Sequence, residues 1–567
     1  MMDSEAAAGA GTGKGDSARD DTHPASVADA IAEILRREKI SMIFGYPRNG
    51  VLEAAAKANI RTIIVRQERT GLHMADALSR MTRGQHMGVF CMQHGPGAEN
   101  AYGGVAQAYG ESVPVLVLPG GYARRLAHVR PNYNSTISMA GVSKMAEPLN
   151  APEETANVFR RAFTQLRNGR PRPVVVELPW DVMDEPVPRP LAYKPVVRTR
   201  SGPDPDAVEA AADLLIAAQR PVIYAGQGVH WAAAYAELQE LAELLGSPVC
   251  TSLPGKSSFN ERHPLALGAG GAALPRPLPH FLKAADVIFG IGCSFVQTSF
   301  GVTMPTGKRV IHSTLDAEDI NKTVEAEIAL VGDAQLTLAA LITACRARLD
   351  GAVRDYSETA AEIKRVEAEW LEEWLPLLIS DETPLSPHRV LWDLQKTVDI
   401  GNVIITHDAG SPRDQLTPYW KSTTPLSYIG WGKTTQLGYG LGLAMGAKLA
   451  HPDKLCINVW GDAAIGFTGM DLETAVRERI PILSILLNNS AMAIELNIMP
   501  EATMRYRATD ISGDYAAMAR AFGAYGERVT DPAEIPAAIR RGIAATQAGQ
   551  PALLEFITAQ ETRFSRG

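Results

Sequence analysis

The sequence predicts an α/β fold with three doubly wound parallel-sheet domains. Apolar runs of strand length alternate with amphipathic segments of helix length along most of the 567-residue chain. The runs are apolar throughout, which is typical of parallel strands that are buried on both faces. This length also exceeds that of one ordinary domain. We expect domains at residues 24–190, 200–349 and 370–555, between a disordered tail at 1–23 and a C-terminal tail or lid at 556–567.

The composition is that of a globular protein, with 46% apolar and 21% charged residues. A formal net charge of −8 disfavours nucleic acid as a main partner. No apolar run reaches the roughly 18 residues of a membrane span, and no secretory signal is evident. The five cysteines are scattered without a CxxC pair, as in proteins of a reducing compartment. We therefore expect a cytoplasmic protein that binds neither nucleic acid nor a membrane.

In the first predicted domain, the segments that carry chemistry follow strands. Apolar spacing predicts an opening helix over 27–37. The run RTIIVRQE predicts a strand that ends at Glu68, and a helix follows over 70–81. The turn GPGAEN, at 95–100, opens another helix after the strand HMGVFCM. Taken alone, Glu68 is explained equally well as an acidic residue that starts a helix.

A basic, proline-rich linker at 186–205 leads into the middle domain. There the run PVIYAGQGV ends in Gly-x-Gly, ADVIFGIGCSF predicts a second strand, and Asp316 follows a third. These runs predict a Rossmann-like sheet. A Gly-x-Gly turn by itself is weak evidence for a bound nucleotide.

Residues 454–489 of the third domain are the most informative stretch. They predict a βαβ unit with two apolar strands and a helix over about 470–479. Asp462 and Asn489 follow the two strands, where parallel sheets bind their ligands. Carboxylate, amide and carbonyl oxygens suit Mg²⁺, and the small residues at 461–466 let a diphosphate approach the backbone. The alternative is an ordinary βαβ unit in which the aspartate caps the helix.

Several segments together resemble the signature of thiamine diphosphate (ThDP) enzymes. Gly-Asp at 461–462 and Asn-Asn at 488–489, separated by twenty-five residues, resemble the motif that binds the metal and the diphosphate. Ala463 stands where glycine is usual. Glu68 with the following GLHMADALSR, and the turn GPGAEN, resemble the first-domain signatures, and GWGKTTQLGYGLGLAMG at 430–446 is similar to a further one. The resemblance implies a pyrimidine-binding domain, a middle Rossmann-like domain and a diphosphate-binding domain.

The resemblance, which covers most of the chain, also implies site residues. Glu68 would hydrogen-bond the aminopyrimidine of ThDP and favour the tautomer that deprotonates the thiazolium ring. The bulk of Leu437 would hold the cofactor in its bent form, and Asp462, Asn489 and the carbonyl of Ala491 would hold Mg²⁺. The cofactor-binding residues implied in this way are Glu68, Asp408, Ala409, Gly410, Ser411, Thr435, Gln436, Leu437, Gly461, Ala463, Ala464, Asn489 and Met492.

Glu495, six residues beyond Asn489, is the second candidate catalytic residue. ThDP-dependent 2-oxoacid decarboxylases that resemble this chain carry a glutamate at this offset, which acts on the substrate as acid or base. A surface glutamate on a helix is the alternative. Acetohydroxyacid synthases usually carry Phe-Gln-Glu near residues 134–136, where this chain has Asn-Ser-Thr, and this difference disfavours that branch.

The segment GDAAIGFTGMDLETAVRERIPI resembles 2-hydroxyacyl-CoA lyases and oxalyl-CoA decarboxylases most. With Glu495 it predicts a lyase that cleaves a 2-hydroxyacyl-CoA, such as 2-hydroxyisobutyryl-CoA, to a ketone or aldehyde and formyl-CoA. The alternatives are a decarboxylase or carboligase of a 2-oxoacid or oxalyl-CoA, of the acetolactate synthase type, and a ThDP-binding protein without turnover. No motif places CoA; the candidate phosphate contacts are Arg413, Lys421, Arg563 and Arg566, each also explained as solvated surface charge.

The resemblance has two further implications for partners and cofactors. Glu68 and Asp462 lie in different predicted domains, and in this family these domains meet across a subunit interface. A homodimer or homotetramer is therefore implied. The middle domain of the family holds FAD, ADP or no ligand, and bound ADP stays open for this chain.

Overall fold

The structure, a computed structural model, describes residues 24–567, so the expected disordered tail at 1–23 lies outside the described residues. Within that range, three six-stranded sheets contain only parallel strand pairs, and helices cover both faces. The predicted α/β class with three parallel-sheet domains is confirmed. No helix in the described range is long and apolar enough to cross a bilayer, and all five cysteines are buried and free.

The first sheet has the strand order β2-β1-β3-β4-β6-β5. Its first helix begins where predicted, because Ser26 and Asp29 form a capping box ahead of a buried apolar face. The strands are β1 (Met42–Gly45), β2 (Arg61–Ile64), β3 (Gly88–Met92), β4 (Val115–Gly121), β5 (Met145–Pro148) and β6 (Val174–Pro179). The helices are α1 (Val27–Arg37), α2 (Gly50–Lys57), α3 (Glu68–Met81), α4 (Pro96–Gly110), α5 (Ser135–Ser138) and α6 (Thr155–Arg167).

The middle sheet has the order β12-β11-β10-β7-β8-β9, which is the 3-2-1-4-5-6 order of dinucleotide-binding sheets. Its strands are β7 (Pro221–Ala225), β8 (Val249–Ser252), β9 (Ala266–Gly270), β10 (Val287–Ile291), β11 (Arg309–Thr314) and β12 (Ile328–Val331). Its helices are α7 (Pro205–Ala217), α8 (Gly228–Ala232), α9 (Tyr235–Leu245), α10 (Pro277–Ala284) and α11 (Ala334–Arg348), and the long α12 (Ser357–Leu378) follows.

The third sheet, β14-β13-β15-β16-β18-β17, repeats the order of the first sheet. Its strands are β13 (Val403–His407), β14 (Tyr428–Ile429), β15 (Leu455–Gly461), β16 (Leu483–Asn488), β17 (Tyr525–Val529) and β18 (Ala552–Ile557). Its helices are α13 (Pro387–Thr397), α14 (Ser411–Leu416), α15 (Tyr439–Ala450), α16 (Asp462–Thr468), α17 (Leu472–Arg477), α18 (Pro500–Tyr506), α19 (Tyr515–Ala521) and α20 (Ile535–Gln547).

Helix α17 lies within the stretch predicted as helix over about 470–479, but an additional helix precedes it. A helix, α16, begins at Asp462 directly after β15, and a 3-10 turn at Gly469–Asp471 separates it from α17. Met470, where the predicted helix begins, is exposed and lies in the 3-10 turn, so its side chain does not mark a buried helix face. The small residues that open α16 carry no periodic signal of their own.

Helices α3 and α15 pack closely and join the first and third domains of one chain. A side-chain carbon on Gly442 would lie 2.4 Å from the Cβ atom of His73, and one on Gly446 would lie 2.4 Å from the carbonyl oxygen of Met74. Only glycine permits this approach. The packing connects the helix that begins at Glu68 with the helix that follows Leu437.

Candidate functional site

A cavity of about 90 Å³ lies at the carboxyl edge of the third sheet. It opens beside β13 and β15, which are neighbours in the sheet although their connections run in opposite directions, and such switch points bind ligands in open α/β sheets. Most of the predicted site residues meet here. Those that line the cavity are Ala409, Gly410, Ser411, Leu437, Gly461, Asp462, Ala463, Ala464, Asn489, Ala491, Met492 and Glu495.

Asp462 presents an unsatisfied carboxylate oxygen to this cavity. Its side chain is 4% exposed, and its Oδ1 atom accepts the N–H group of Ala463 at 3.0 Å. Among the described residues, Oδ2 is buried and has no hydrogen-bond partner. Burial raises the pKa of Asp462 to about 6, although nearby backbone N–H groups oppose the shift. A buried oxygen in this state is costly unless a cation or donor satisfies it.

Asn489 supplies a second oxygen on the next strand end. Its Oδ1 atom accepts the N–H group of Ala491 at 3.0 Å, which fixes the orientation of the amide beside Asp462. A carboxylate oxygen, an amide oxygen and the nearby carbonyl of Ala491 are hard donors of the kind that Mg²⁺ takes, together with water and phosphate oxygens. The donor set therefore fits the predicted magnesium site.

Small residues form the opposite wall. Gly410 has φ +86°, in the left-handed region that favours glycine, and it turns the chain from β13 into α14. Ala409 and Ser411 flank it, and Ala463 also lines the cavity. These short side chains leave the backbone accessible, as a bound diphosphate requires.

Asp408 lies outside the lining of the cavity, although it was predicted to contact the cofactor. It is fully buried, and its oxygens accept the N–H groups of Ala409 at 2.8 Å, Gly438 at 2.9 Å and Gly440 at 3.0 Å. Burial raises its pKa to about 6, against the effect of these three donors. The carboxylate holds the turn before α15 in place.

Leu437 lines the cavity, whereas Thr435 and Gln436 do not. The backbone N–H group of Gln436 donates to Oε1 of Gln107 at 3.2 Å. The side-chain Oε1 atom of Gln436 is 2.9 Å from Nε2 of His73. The backbone N–H group of Gln436 is therefore already bonded, and only its carbonyl remains for a ligand. Burial lowers the pKa of His73 to about 3, so this imidazole is neutral.

Glu68 occupies a separate place in the chain. It opens α3, is 4% exposed, and accepts one long hydrogen bond, 3.4 Å, from Asn100. Burial is the main cause that raises its pKa, and Asp471 of the third domain adds to the shift. Glu68 does not line the cavity that contains Asp462. One chain alone does not bring these two predicted residues into the same cavity.

Glu495 lies at the edge of the cavity, at the start of a 3-10 turn. The chain leaves the sheet after β16 and forms an excursion. The two ends of the excursion meet where Met492 donates its N–H group to the carbonyl of Thr509 at 2.8 Å. Several large apolar side chains on this excursion are exposed, and they include Ile498 at 70% and Tyr506 at 77% exposure. An ionisable carboxyl thus lies between the cavity that contains Asp462 and a surface with exposed apolar side chains.

A second and larger cavity, of about 240 Å³, lies between the middle domain and its neighbours. It opens at the switch point between β7 and β10, where Gly226 and Gly292 follow the strands. Two buried polar atoms of its lining, Oε1 of Gln227 and Nε1 of Trp231, have no partner among the described residues. Burial lowers the pKa of Lys433, a lining residue from the third domain, to about 8. Sequence reasoning found the Gly-x-Gly turn but not this lysine.

The candidate CoA contacts are engaged with other groups. Arg413 is buried rather than on the surface, and its Nε and Nη2 atoms contact the carboxylate of Asp414 at 2.8 and 2.9 Å. Lys421 pairs with Glu367, Arg563 pairs with Glu561, and Arg566 lies over the ring of Phe564. None of these contacts indicates a phosphate site.

Three family models match the chain domain by domain. The model described as the thiamine pyrophosphate enzyme N-terminal TPP binding domain matches residues 25–143, the central domain matches 208–341, and the C-terminal TPP binding domain matches 408–556. These matches agree with the three sheets and with the cavity in the third domain.

Curated relatives match over almost the whole length. The chain is 30% identical to a probable acetolactate synthase large subunit of Methanococcus aeolicus, over 93% of this chain and 91% of that protein. It is 29% identical to the acetolactate synthase isozyme 3 large subunit of Escherichia coli, over 90% and 91%. Benzoylformate decarboxylase from Polynucleobacter necessarius has the same fold, with a TM-score of 0.79, 20% identity, and coverage of 95% and 99%.

Proposed function

Because the chain belongs to the thiamine pyrophosphate enzyme family, we propose that it makes and breaks carbon–carbon bonds next to a carbonyl group, with ThDP and Mg²⁺. The proposed reaction is decarboxylation of a 2-oxoacid and transfer of the remaining acyl group to a second carbonyl compound. The relatives named above are acetolactate synthase subunits, which supports this reaction over the lyase reaction expected from the sequence.

The observation that carries the proposal is the unsatisfied Oδ2 atom of Asp462 in a cavity that also contains Asn489 and Glu495. Asp462, Asn489 and the carbonyl of Ala491 hold Mg²⁺ in this proposal. The backbone at 409–411 and the short side chains of Gly461, Ala463 and Ala464 leave space for the diphosphate. When bound, ThDP supplies a thiazolium ring that stabilises negative charge on the former carbonyl carbon.

In this proposal Leu437 and Met492 would supply apolar contacts to the cofactor rings, and the carbonyls of Thr435 and Gln436 would be the acceptors available to the pyrimidine. Asp408 does not contact the cofactor directly but stabilises the turn that presents Leu437, since all its bonds are to backbone N–H groups. This role replaces the direct contact expected from the sequence.

Glu68 is the proposed proton-handling residue of the cofactor site. A buried carboxyl with a raised pKa holds a proton more readily than an exposed one, and it can share that proton with a ring nitrogen. Because Glu68 is absent from the cavity of its own chain, we propose a two-fold symmetric homodimer in which Glu68 of one protomer completes the cavity of the other. A homotetramer would contain two such dimers.

Glu495 is the proposed acid–base residue for the substrate. It lies at the cavity edge, beyond the metal ligands and beside the exposed apolar excursion. From this place its carboxyl donates or removes a proton at the substrate oxygen, while the apolar surface contacts the substrate side chain. General acid–base catalysis of this kind contributes about 10²–10⁴-fold to a rate.

The larger cavity is the proposed site of a nucleotide such as ADP. Three features support this: the strand order of the middle sheet, the unpartnered polar atoms of Gln227 and Trp231, and the cationic lining residue Lys433. The glycine turn after β7 packs against the turn after β10, since a side-chain carbon on Gly226 would lie 2.3 Å from the carbonyl oxygen of Gly292.

Cleavage of a 2-hydroxyacyl-CoA remains the second candidate function. The exposed apolar side chains beside Glu495, among them Ile498 and Tyr506, favour it, because they offer a surface for a branched acyl group. The engaged state of Arg413 and Lys421 removes two of the expected CoA contacts. The two candidates share every proposed cofactor residue and differ in the substrate.

A parallel product assay separates the two candidates. Purified protein with ThDP and Mg²⁺ is given pyruvate in one reaction and 2-hydroxyisobutyryl-CoA in another, and products are identified by mass spectrometry. Carbon dioxide with acetolactate, lost when ThDP is omitted, supports the proposed carboligase. Acetone with formyl-CoA from the second reaction, and no turnover of pyruvate, would replace it with the lyase.

A further inference from the structure

The segment 430–437, which ends in Leu437, has no regular structure of its own. It connects β14 to α15 and lies between the two cavities, since Gly432 and Lys433 line the larger one and Leu437 lines the smaller one. A segment without internal hydrogen bonds needs partners elsewhere for its backbone groups. Those partners come from the first domain of the same chain.

Helix α4 and its C-terminal cap turn one face towards this segment. Gly103, Gln107, Gly110 and Glu111 have the i, i+4, i+7, i+8 spacing of one helical face. A side-chain carbon on Gly103 would lie 2.2 Å from Nε2 of Gln436, so the absence of a side chain is what admits that residue. The two glycines leave space for side chains of the segment, and the two polar residues form hydrogen bonds with it.

Gln107 holds the C-terminal half of the segment. Its Oε1 atom accepts the hydroxyl of Thr434 at 2.7 Å and the N–H group of Gln436 at 3.2 Å, and its Nε2 atom donates to the carbonyl of Thr434 at 3.4 Å. The side chain is 1% exposed. These bonds fix Thr434 and Gln436, three residues and one residue before Leu437.

Glu111 holds the N-terminal half. Its Oε1 atom accepts the N–H groups of Gly432 at 3.0 Å and Lys433 at 2.7 Å. The residue is fully buried, and within the described range Oε2 has no partner. Burying a carboxylate with one oxygen unpaired costs free energy. We infer that Glu111 is retained because it fixes the position of the Gly432 and Lys433 N–H groups, and not because it stabilises the fold.

We propose that Gln107 and Glu111 are positioning residues, which act through the segment 432–437 to set the place of Leu437 against the rings of the cofactor. The inference rests on the proposed ThDP site. Neither residue lines the cavity itself, so both act through the backbone that they hold. Their loss disturbs the ring contacts while leaving the metal ligands Asp462 and Asn489 unchanged.

The test separates cofactor affinity from cofactor geometry. In the variants Gln107→Met and Glu111→Met, methionine has about the length of the native side chain but cannot form its hydrogen bonds to the segment. We measure ThDP affinity in the presence of Mg²⁺ by calorimetry, and hydrogen–deuterium exchange at C2 of the bound cofactor by NMR. Exchange should slow about tenfold, because unpaired buried N–H groups make the segment shift. Affinity should change less than about threefold, because the diphosphate and metal contacts remain.

Conservative variants and a matched control distinguish positioning from general stability. Gln107→Glu and Glu111→Gln keep the acceptor oxygens and should exchange near the wild-type rate. Glu38→Met is the control: Glu38 is an equally buried carboxylate in the first domain, and it accepts the N–H group of Val196, in the linker, at 2.8 Å. This variant should lower stability without slowing exchange.

Each outcome decides the inference. If both methionine variants exchange at the wild-type rate, or if Glu38→Met slows exchange equally, the proposal is wrong. Where a methionine variant does not fold, Thr434→Val, at an exposed residue, removes one bond to Gln107 from the other side, and an unchanged exchange rate would overturn the proposal. A wild-type protein that does not bind ThDP contradicts the proposed function instead.

Discussion

The first and third domains share one strand order but differ at the ends of their strands. In the first, Glu68 follows the edge strand β2 and is buried with one long hydrogen bond. In the third, Asp462 and Asn489 follow the central strands β15 and β16 and line a cavity. In the proposed function, the same scaffold carries a proton-handling carboxyl in one copy and a metal and phosphate site in the other. Chemistry resides in the strand ends rather than in the fold.

The largest expected effect comes from the first domain. Glu68→Gln should lower turnover by about 10²–10⁴-fold, because the amide does not take part in the proton transfer. ThDP affinity should stay near the wild-type value, since Asp462 and Asn489 are unchanged. Steady-state kinetics and calorimetry measure the two quantities, with Glu38→Gln as a control at another buried glutamate of the same domain. A large loss of affinity with normal turnover at saturation would assign Glu68 to binding instead.

The opposite pattern is expected in the third domain. Asp462→Asn should weaken Mg²⁺-dependent ThDP binding by at least about a hundredfold, because even partners of metal ligands contribute about 10–100-fold to metal affinity. Asp471→Asn is the matched control, since Asp471 is buried in the same domain. An asparagine at this position keeps an oxygen that accepts the N–H group of Arg66. Calorimetry at several Mg²⁺ concentrations provides the measurement. Equal affinities in the two variants would remove Asp462 from the metal site.

A smaller effect is expected at the outer end of the cavity. Glu495→Gln should lower kcat about a hundredfold by removing one acid–base group. Hydrogen–deuterium exchange at C2 of ThDP should proceed at the wild-type rate, because Glu68 is intact. The exposed Glu501 of α18 provides the control variant, Glu501→Gln. Unchanged turnover in Glu495→Gln would show that this residue is a surface carboxylate without a role in the reaction.

Local signals explain what the sequence predicted correctly. The capping box at Ser26 and the apolar face of α1 are encoded within eleven helical residues, and the helix lies where predicted. Strand β15 was likewise evident as an apolar run, and its end placed Asp462 at the edge of a parallel sheet. Most of the candidate cofactor residues then met in one cavity because they follow neighbouring strands.

Contacts between distant segments explain the rest. Gln107 and Glu111 bond to residues more than 320 positions away along the chain, and no periodicity reports such a contact. Asp408 is adjacent to cavity residues in sequence, yet its side chain points to the N–H groups of Gly438 and Gly440 at the start of α15. Lys433 reaches the middle-domain cavity from another domain. Motifs place residues near a site, whereas packing decides which atoms face it.

The last effect, on stability instead of turnover, concerns the contact between the two matching domains, where His73 faces Gln436. Burial lowers the pKa of His73 to about 3 from 6.5, so between these pH values the unfolded chain binds a proton that the folded chain does not. Stability therefore decreases as the pH falls through this window, by about 1.4 kcal/mol per pH unit for one site. His73→Gln should reduce this dependence of the unfolding free energy on pH, as measured from the first transition in urea unfolding at several pH values. The same substitution at the exposed His86 is the control.

The central claim is that each working site combines the first domain of one chain with the third domain of another. Glu68→Gln and Asp462→Asn proteins, each inactive, are unfolded together and refolded as a mixture. In a two-fold dimer, every hybrid has one site with both substitutions and one intact site, so the mixture should recover about a quarter of the wild-type activity. Activity that stays at the level of the separate variants would contradict the claim and place both residues in the site of one chain.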